Sequence, residues 1–150
     1  MLNKDFKEFA GLLNSTGVEY LVVGGYALAA FGRPRYTGDI DIWVRSTQVN
    51  AAALLKALDA FGFGDLGLTP ADFFAPESVV QLGYPPARID LLTSIDGVEF
   101  EACYRRKTVV RVDGVELPII HIDDFRANKL AAGRARDLAD LESLNEPPDP

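Results

Sequence analysis

The segment Asp39–Val44 (DIDIWV) constrains the fold most, because its acidic and apolar residues alternate. Alternate side chains of a strand share a face, so Asp39 and Asp41 project together while the isoleucines face a core. Two carboxylates this close raise each other's pKa unless a cation neutralises them, and hard cations such as magnesium prefer oxygen ligands. The segment therefore predicts a strand that carries either two solvated acids or part of a metal site.

Helix-like and strand-like runs follow one another in the order α-β-α-β-α-β-β-β-β-α-α. The predicted helices cover residues 3–14, 26–31, 47–61, about 123–132 (capped by Asp123 or Asp124) and 134–144. The predicted strands cover residues 18–23, 39–44, 79–82, 88–92, 109–112 and 115–120. This order predicts an α+β fold in which a mixed sheet is flanked by helices and a helical pair ends the chain. We expect one domain over residues 1–145 and a flexible, proline-rich tail over 146–150.

The composition limits the classes of function. The chain has 150 residues, 22 of them acidic and 15 basic, for a net charge of -7. A general nucleic-acid binder would present a basic face, so this chain is a poor candidate, although a local basic site can still hold phosphates beside metal ions. The single cysteine excludes an internal disulfide, and no run approaches the roughly 20 apolar residues of a membrane span. We therefore expect a cytoplasmic protein without a membrane partner.

Asp90 is a carboxylate within an apolar predicted strand, Arg88–Leu92. A buried carboxylate is costly unless it is paired or bound to a metal. The sequence leaves both alternatives open: an ion pair with Arg88, two residues earlier on the same face, or a metal ligand. In the second case Asp90 would complete a two-ion site with Asp39 and Asp41.

Two glycines, Gly24 and Gly25, lie between a predicted strand and a short predicted helix. Glycine lets the backbone approach a ligand closely, and a helix N-terminus attracts anions. A tight strand-to-helix turn also needs glycine without any ligand, so this signal alone does not decide between the two interpretations.

Basic residues concentrate in the segment 126–136 of an otherwise acidic chain. On a helix, Lys129, Gly133 and Arg136 recur on one face. This pattern is typical of a phosphate-binding face, and equally of a solvated face with local ion pairs worth about 0–1 kcal/mol each.

The order of these motifs resembles the nucleotidyltransferase superfamily, with its DNA polymerase beta-like fold. The matching residues are the Gly24-Gly25 turn, Arg35-x-Thr37-x-Asp39-Ile40-Asp41, and Asp90 on a later strand. The closing segment, Lys129 followed by Arg134-x-Arg136-Asp137 and then Asp140-Leu141, is similar to that of a small prokaryotic branch related to abortive-infection toxins. The resemblance covers roughly residues 18–145.

The resemblance implies roles for individual residues. Three carboxylates would hold the metal ions and Lys129 would neutralise triphosphate charge, which makes the implied catalytic set Asp39, Asp41, Asp90 and Lys129. The implied nucleotide- and phosphate-binding set is Gly24, Gly25, Arg35, Thr37, Arg134, Arg136 and Asp137. Asp137 would orient Lys129 or a nearby arginine.

The implied function is transfer of a nucleoside monophosphate from an NTP such as ATP to a hydroxyl acceptor, with release of pyrophosphate. It would use a two-ion site holding Mg²⁺ or Mn²⁺. The acceptor would be RNA, a protein or a small molecule, and the role that of a toxin–antitoxin or defence component. Besides NTP and acceptor, the expected partners are a cognate antitoxin or other partner protein and a second copy in a homodimer. The alternatives are a catalytically silent module that binds a nucleotide or a partner, and, less favoured, a metal-dependent phosphohydrolase.

Two further residues and two loop segments have an expected place in the fold. Trp43 shares the face of Asp39 and Asp41, so it lies either near a nucleotide base or, as we expect, in the core. His121, the only histidine, is expected to be structural. The substrate pocket is expected to be built from loops 62–78 and 93–108 or from a second subunit.

Overall fold

The computed structural model describes residues 3–33, 39–84 and 88–145. The helices are α1 (Lys4–Ser15), α2 (Gly24–Ala30), α3 (Gln48–Phe61), α4 (Phe100–Arg105), α5 (Ile122–Ala132) and α6 (Ala135–Asn145). The strands are β1 (Tyr20–Val23), β2 (Asp39–Val44), β3 (Val79–Leu82), β4 (Arg88–Leu92), β5 (Thr108–Val112) and β6 (Val115–Ile119). Two short 3₁₀ turns, Gly64–Leu66 and Pro70–Phe73, follow α3.

The six strands form one mixed sheet in the order β3-β4-β2-β1-β6-β5. The β2–β4 and β1–β6 pairs are parallel, and the other three pairs are antiparallel. All four residues of β1 are buried, which explains why its sequence, YLVV, is continuously apolar. The predicted fold class, a mixed sheet flanked by helices, is confirmed.

The helices cover the sheet through aromatic and aliphatic contacts. α1 and α3 pack against each other, and Phe9 meets Phe61 edge-to-face at 5.1 Å between ring centroids. Phe31, just after α2, meets Phe125 of α5 in the same way at 5.3 Å. The buried apolar side chains of the described residues belong to one core cluster. Among these helices, none combines the length and the apolar character that crossing a bilayer requires.

Short polar contacts set the helix ends that position the site. Gly133, with a φ of 65°, ends α5 in the left-handed conformation, as its place in the sequence predicts. The predicted cap of α5 was wrong. His121 is the N-cap, and its Nδ1 accepts a hydrogen bond from the backbone N–H of Asp123 at 3.1 Å, which agrees with a structural role. Asp124 instead accepts hydrogen bonds from Arg106 at 2.7 and 3.0 Å.

The segment 93–108, predicted to be a loop, contains the helix α4. Its Cys103 is fully buried, and its Phe100 meets Trp43 of β2 edge-to-face at 5.1 Å. Trp43 therefore lies in the core, as expected. A helix of six residues has little stability of its own, so contacts of this kind determine whether it forms.

The domain boundaries stay a prediction. The tail over 146–150, expected to be flexible, lies outside the described residues.

Candidate active site

The register between β2 and β4 brings the acidic residues together. The two strands are parallel neighbours, with Asp41 opposite Asp90 and Asp39 opposite Arg88. Residues opposite each other on neighbouring strands point to the same face, so the carboxylates of Asp41 and Asp90 share a face of the sheet. The alternation of β2 places Asp39 on that face as well.

Gly24 places the start of α2 directly against one of these acids. Val23 lies opposite Asp41 across the β1–β2 pair, and Gly24 follows with a φ of +67°. A Cβ atom at Gly24 would lie only 2.4 Å from Oδ2 of Asp41. The turn thus requires glycine at this position for two reasons: the left-handed backbone and the close approach to a carboxylate.

Lys129 reaches the same region from α5, held by two buried aspartates of α6. Lys129 is 7% exposed, and its Nζ lies 3.2 Å from Oδ1 of Asp137 and 3.6 Å from Oδ2 of Asp140. The two carboxylates face the buried ammonium group and compensate for its removal from water. The left-handed turn at Gly133 folds α6 back beside α5, which makes these contacts possible.

Asp137 also binds Arg134, so it connects two cations. The Arg134 Nε donates to Oδ2 of Asp137 at 2.7 Å, and the Arg134 backbone N–H donates to the same oxygen at 3.2 Å. Burial raises the pKa of Asp137, but hydrogen bonds from Arg134 and Lys129 outweigh burial and lower that pKa overall. Asp137 is therefore ionised and acts as a fixed anchor.

These groups line one cavity of about 290 Å³. Its walls hold three carboxylates, four cationic side chains, the glycine turn and one apolar side chain. The acids are Asp39, Asp41 and Asp90, the cations are Arg88, Lys129, Arg134 and Arg136, and the remaining residues are Gly24, Gly25 and Leu92. Asp137 lies behind this wall and holds Lys129. Arg35 and Thr37 lie outside the described residues. A polar cavity with mixed charges is suited to a phosphate-bearing ligand.

Arg88 lies between two of the acids. Its Nε donates to Oδ1 of Asp90 at 3.0 Å, and its Nη2 donates to Oδ2 of Asp90 at 3.3 Å and to Oδ2 of Asp39 at 2.5 Å. Of the two alternatives that the sequence left for Asp90, this structure contains the ion pair. The second contact, to Asp39, was missed, because only the β2–β4 register reveals that Arg88 lies opposite Asp39.

Asp41 has a raised pKa. Burial, together with the negative charges of Asp90 and Asp39, raises the pKa of Asp41 to about 6, and the positive charge of Lys129 opposes the increase. The negative charge of Asp41 is thus costly in this cavity.

The donor set suits a hard divalent cation, since three carboxylates converge on one cavity and Gly24 leaves open the space beside Asp41 that a Cβ would fill. The described residues nevertheless contain no group of three or more His, Cys, Asp or Glu side chains arranged to hold an ion. Arg88 donates hydrogen bonds to oxygens of Asp39 and Asp90 that a metal would also use. The residue types of the cavity therefore fit a metal by their chemistry, while the arrangement of the acids in this structure is that of an ion-pair network.

A second cavity of about 370 Å³ continues from the first and shares Gly24, Asp41, Lys129 and Arg134 with it. It extends over apolar side chains of Val79, Leu92, Ile95 and Ala132. The predicted segment 93–108 contributes Ser94, Ile95 and Asp96 to this cavity, whereas no residue of 62–78 lines either cavity. The 3₁₀ turns of 62–78 pack against α3 instead.

The loop that follows β4 is fixed to α5. Asn128 donates a side-chain hydrogen bond to the backbone oxygen of Asp96 at 2.9 Å. At Gly97, with a φ of +81°, a Cβ atom would lie 2.5 Å from the Cβ of Ala131. This wall of the second cavity is therefore built by close backbone packing.

The raised pKa of Asp41 predicts a pH-dependent effect of Asp41→Asn in metal-free protein. The ordinary pKa of this carboxyl is 3.8 and the folded-state pKa is about 6, so between these values the folded protein binds more protons than the unfolded chain. Wild-type stability therefore falls as the pH rises through this window, whereas the variant has no such loss. We expect Asp41→Asn to gain about 1–3 kcal/mol in unfolding free energy, relative to wild type, between about pH 4 and pH 7. Urea unfolding with EDTA measures this difference. A difference in unfolding free energy that does not change with pH would contradict the raised pKa of Asp41. The control is Asp65→Asn, which replaces an exposed acid.

Gly24→Ala is predicted to destabilise the fold, because an alanine there meets both the positive φ and the Asp41 carboxylate. We expect a loss of about 1–3 kcal/mol in unfolding free energy. The matched control is Gly11→Ala, in the middle of α1 with nothing within 4 Å of the new Cβ, which should be neutral or stabilising by up to about 1 kcal/mol. Equal effects of the two substitutions would show that the Gly24 turn is not constrained as described.

Comparison with known proteins assigns the fold and the family. A family model described as "Nucleotidyl transferase of unknown function (DUF2204)" matches residues 2–148. The crystal structure of a protein from Thermotoga maritima, named a "putative nucleotidyltransferase", is similar with a TM-score of 0.63 and 16% sequence identity, over 95% of this chain and 91% of that chain. At this identity the likeness concerns the fold. No curated protein sequence matches the chain.

The family model spans nearly the whole chain. The chain therefore belongs to a family of nucleotidyl transferases of unknown function.

Proposed function

We propose that this chain transfers a nucleoside monophosphate from an NTP to a hydroxyl acceptor in a divalent-metal-dependent reaction that releases pyrophosphate. One observation carries the proposal: a single cavity contains three carboxylates, four cationic side chains and a glycine turn at the start of a helix. This combination suits a metal–triphosphate, whose charges need both carboxylate oxygens for the cation and cationic groups for the phosphates.

Asp39, Asp41 and Asp90 are the proposed ligands of Mg²⁺ or Mn²⁺. When bound, such ions neutralise the phosphates and favour deprotonation of an attacking hydroxyl. The high cost of the Asp41 charge without a metal supports this role, because a cation would relieve the repulsion from Asp90 and Asp39. Asp90 is the proposed acid nearest the acceptor hydroxyl.

Lys129 is the proposed fixed positive charge for the triphosphate. Asp137 and Asp140 hold its ammonium group in one place, so the charge is already positioned before the nucleotide binds. Arg134 and Arg136 are exposed at the cavity and would bind outer phosphate oxygens. The backbone N–H groups of Gly24 and Gly25 would add hydrogen bonds to the β and γ phosphates. The phosphate-binding roles of Arg35 and Thr37 rest on the sequence resemblance alone.

The acceptor is proposed to enter through the second cavity, which shares Asp41 with the first and has apolar walls. A hydroxyl of RNA, of a protein or of a small molecule fits the proposed reaction. The net charge of -7 favours a protein or small molecule over broad binding of RNA. A toxin–antitoxin or defence role, a cognate antitoxin and a homodimer rest on the sequence resemblance alone.

A second candidate is a module that binds nucleotide without transfer. The ion pairs of Arg88 with Asp39 and Asp90 favour it, because they occupy the proposed metal ligands. Metal-dependent nucleotide binding with no transfer to any acceptor class would distinguish this candidate from the enzyme.

Label transfer tests the proposal. The purified chain is incubated with each α-labelled NTP, Mg²⁺ or Mn²⁺, and separate extracts of RNA, protein and small molecules. We expect label on one acceptor class and stoichiometric pyrophosphate, with Asp41→Asn lowering the rate at least about 100-fold because it removes a metal ligand.

Asp65→Asn is the control, since this exposed acid lines neither cavity and its loss should leave the rate unchanged. Label transfer that persists in Asp41→Asn would contradict the proposed site. Nucleotide binding without label on any class would favour the silent module.

A further inference from the structure

We propose that Arg88 is an exchangeable counter-ion of this site: it neutralises Asp39 and Asp90 before the metal binds, competes with the metal, and then binds substrate phosphate. The inference rests on the proposed function, because it concerns the same carboxylates. It assigns to Arg88 a role that the sequence motifs do not give it.

The first step of the argument is that Arg88 uses both oxygens of Asp90. One oxygen accepts from Nε at 3.0 Å and the other from Nη2 at 3.3 Å. The Asp90 side chain is only 10% exposed, so solvent offers it little alternative stabilisation. A divalent cation that binds Asp90 would therefore compete with these hydrogen bonds for the same two oxygens.

The second step is that the same guanidinium also holds Asp39. Nη2 of Arg88 lies 2.5 Å from Oδ2 of Asp39, on the neighbouring strand. Arg88 thus crosses the β2–β4 boundary and carries one positive charge where the proposed metal would bring two. A metal that binds these oxygens of Asp39 and Asp90 therefore competes with a guanidinium that already holds both acids.

The third step concerns two other cations of the cavity, Lys129 and Arg134. Lys129 pairs with Asp137 and Asp140, and Arg134 pairs with Asp137, so both are anchored to α6. Arg88 differs, because its hydrogen bonds go to the proposed metal ligands themselves. Its side chain is 26% exposed and already lines the cavity.

The fourth step is the destination of the displaced guanidinium. Arg88 is the first residue of β4 and lines the cavity together with the Gly24 turn and Lys129. Its guanidinium would therefore remain at the cavity wall after it releases the two acids. A planar guanidinium binds two phosphate oxygens as readily as it binds a carboxylate. The same residue would therefore oppose metal binding and favour nucleotide binding.

The test is a Mn²⁺ titration of the EDTA-treated full chain, followed by the electron paramagnetic resonance of free Mn²⁺. Wild type, Arg88→Met and Arg88→Lys are compared. We expect Arg88→Met to bind Mn²⁺ on the order of tenfold more tightly, since a competing charge-assisted interaction is gone. Arg88→Lys should lie between the two, because a lysine cannot hold both acids with a fork of donors.

Arg106→Met is the matched control. Arg106 also binds an aspartate through two hydrogen bonds, to Asp124, and it lines neither cavity. Its loss should leave Mn²⁺ affinity unchanged even if it lowers the melting temperature. Circular dichroism tests whether each variant is folded. If Arg88→Met does not fold, Arg88→Lys is compared with wild type in its place.

A second titration measures the affinity for a non-hydrolysable ATP analogue at saturating Mn²⁺. Loss of Arg88 should lower this affinity, whereas it should raise the affinity for Mn²⁺. We expect Arg88→Met to bind the analogue on the order of tenfold more weakly than wild type does. Opposite shifts of metal and nucleotide affinity are a result that a purely structural arginine would not give.

The outcomes separate this inference from the proposed function. If wild type binds Mn²⁺ and Arg88→Met binds it no more tightly, the exchange is wrong and metal dependence stands. If the analogue binds Arg88→Met as tightly as wild type, Arg88 does not contact phosphate, and the proposed phosphate-binding role of Arg88 is wrong. If neither protein binds Mn²⁺, the metal dependence and the exchange fail together.

Discussion

The central constraint on this molecule is the neutralisation of three carboxylates that two parallel strands place in one cavity. The β2–β4 register puts Asp41 opposite Asp90, and the alternation of β2 adds Asp39. Such a group is stable only with nearby positive charge. Arg88 supplies it for Asp39 and Asp90, while Asp41 keeps a raised pKa despite Lys129. The proposed metal dependence follows from this imbalance.

The surrounding structure serves the same constraint. Gly24 lets the backbone pass beside the Asp41 carboxylate, where any side chain would collide with it. The Gly133 turn brings α6 against α5, so that buried Asp137 fixes Lys129 at the cavity wall. Local backbone conformations at two glycines therefore determine where the negative and positive charges of the site lie relative to each other.

Local patterns predicted much of this arrangement. β2, β3 and β4 have the predicted ends, because each is a short run bounded by turn residues. The described residues of the predicted site either line one cavity or, like Asp137, support it. The helix α4 was missed because six residues show too little periodicity and depend on contacts such as Phe100 with Trp43. The bridge from Arg88 to Asp39 was missed because it depends on pairing between strands 49 residues apart.

The most direct measurement is a crystal structure of the chain with Mn²⁺ and a non-hydrolysable NTP analogue, using the anomalous signal of manganese. The account predicts Mn²⁺ bound by oxygens of the three carboxylates, Arg88 released from Asp90, and the triphosphate between the Gly24 turn and Lys129. A triphosphate bound elsewhere would contradict it. So would a cavity without Mn²⁺ in which Arg88 still joins Asp39 to Asp90.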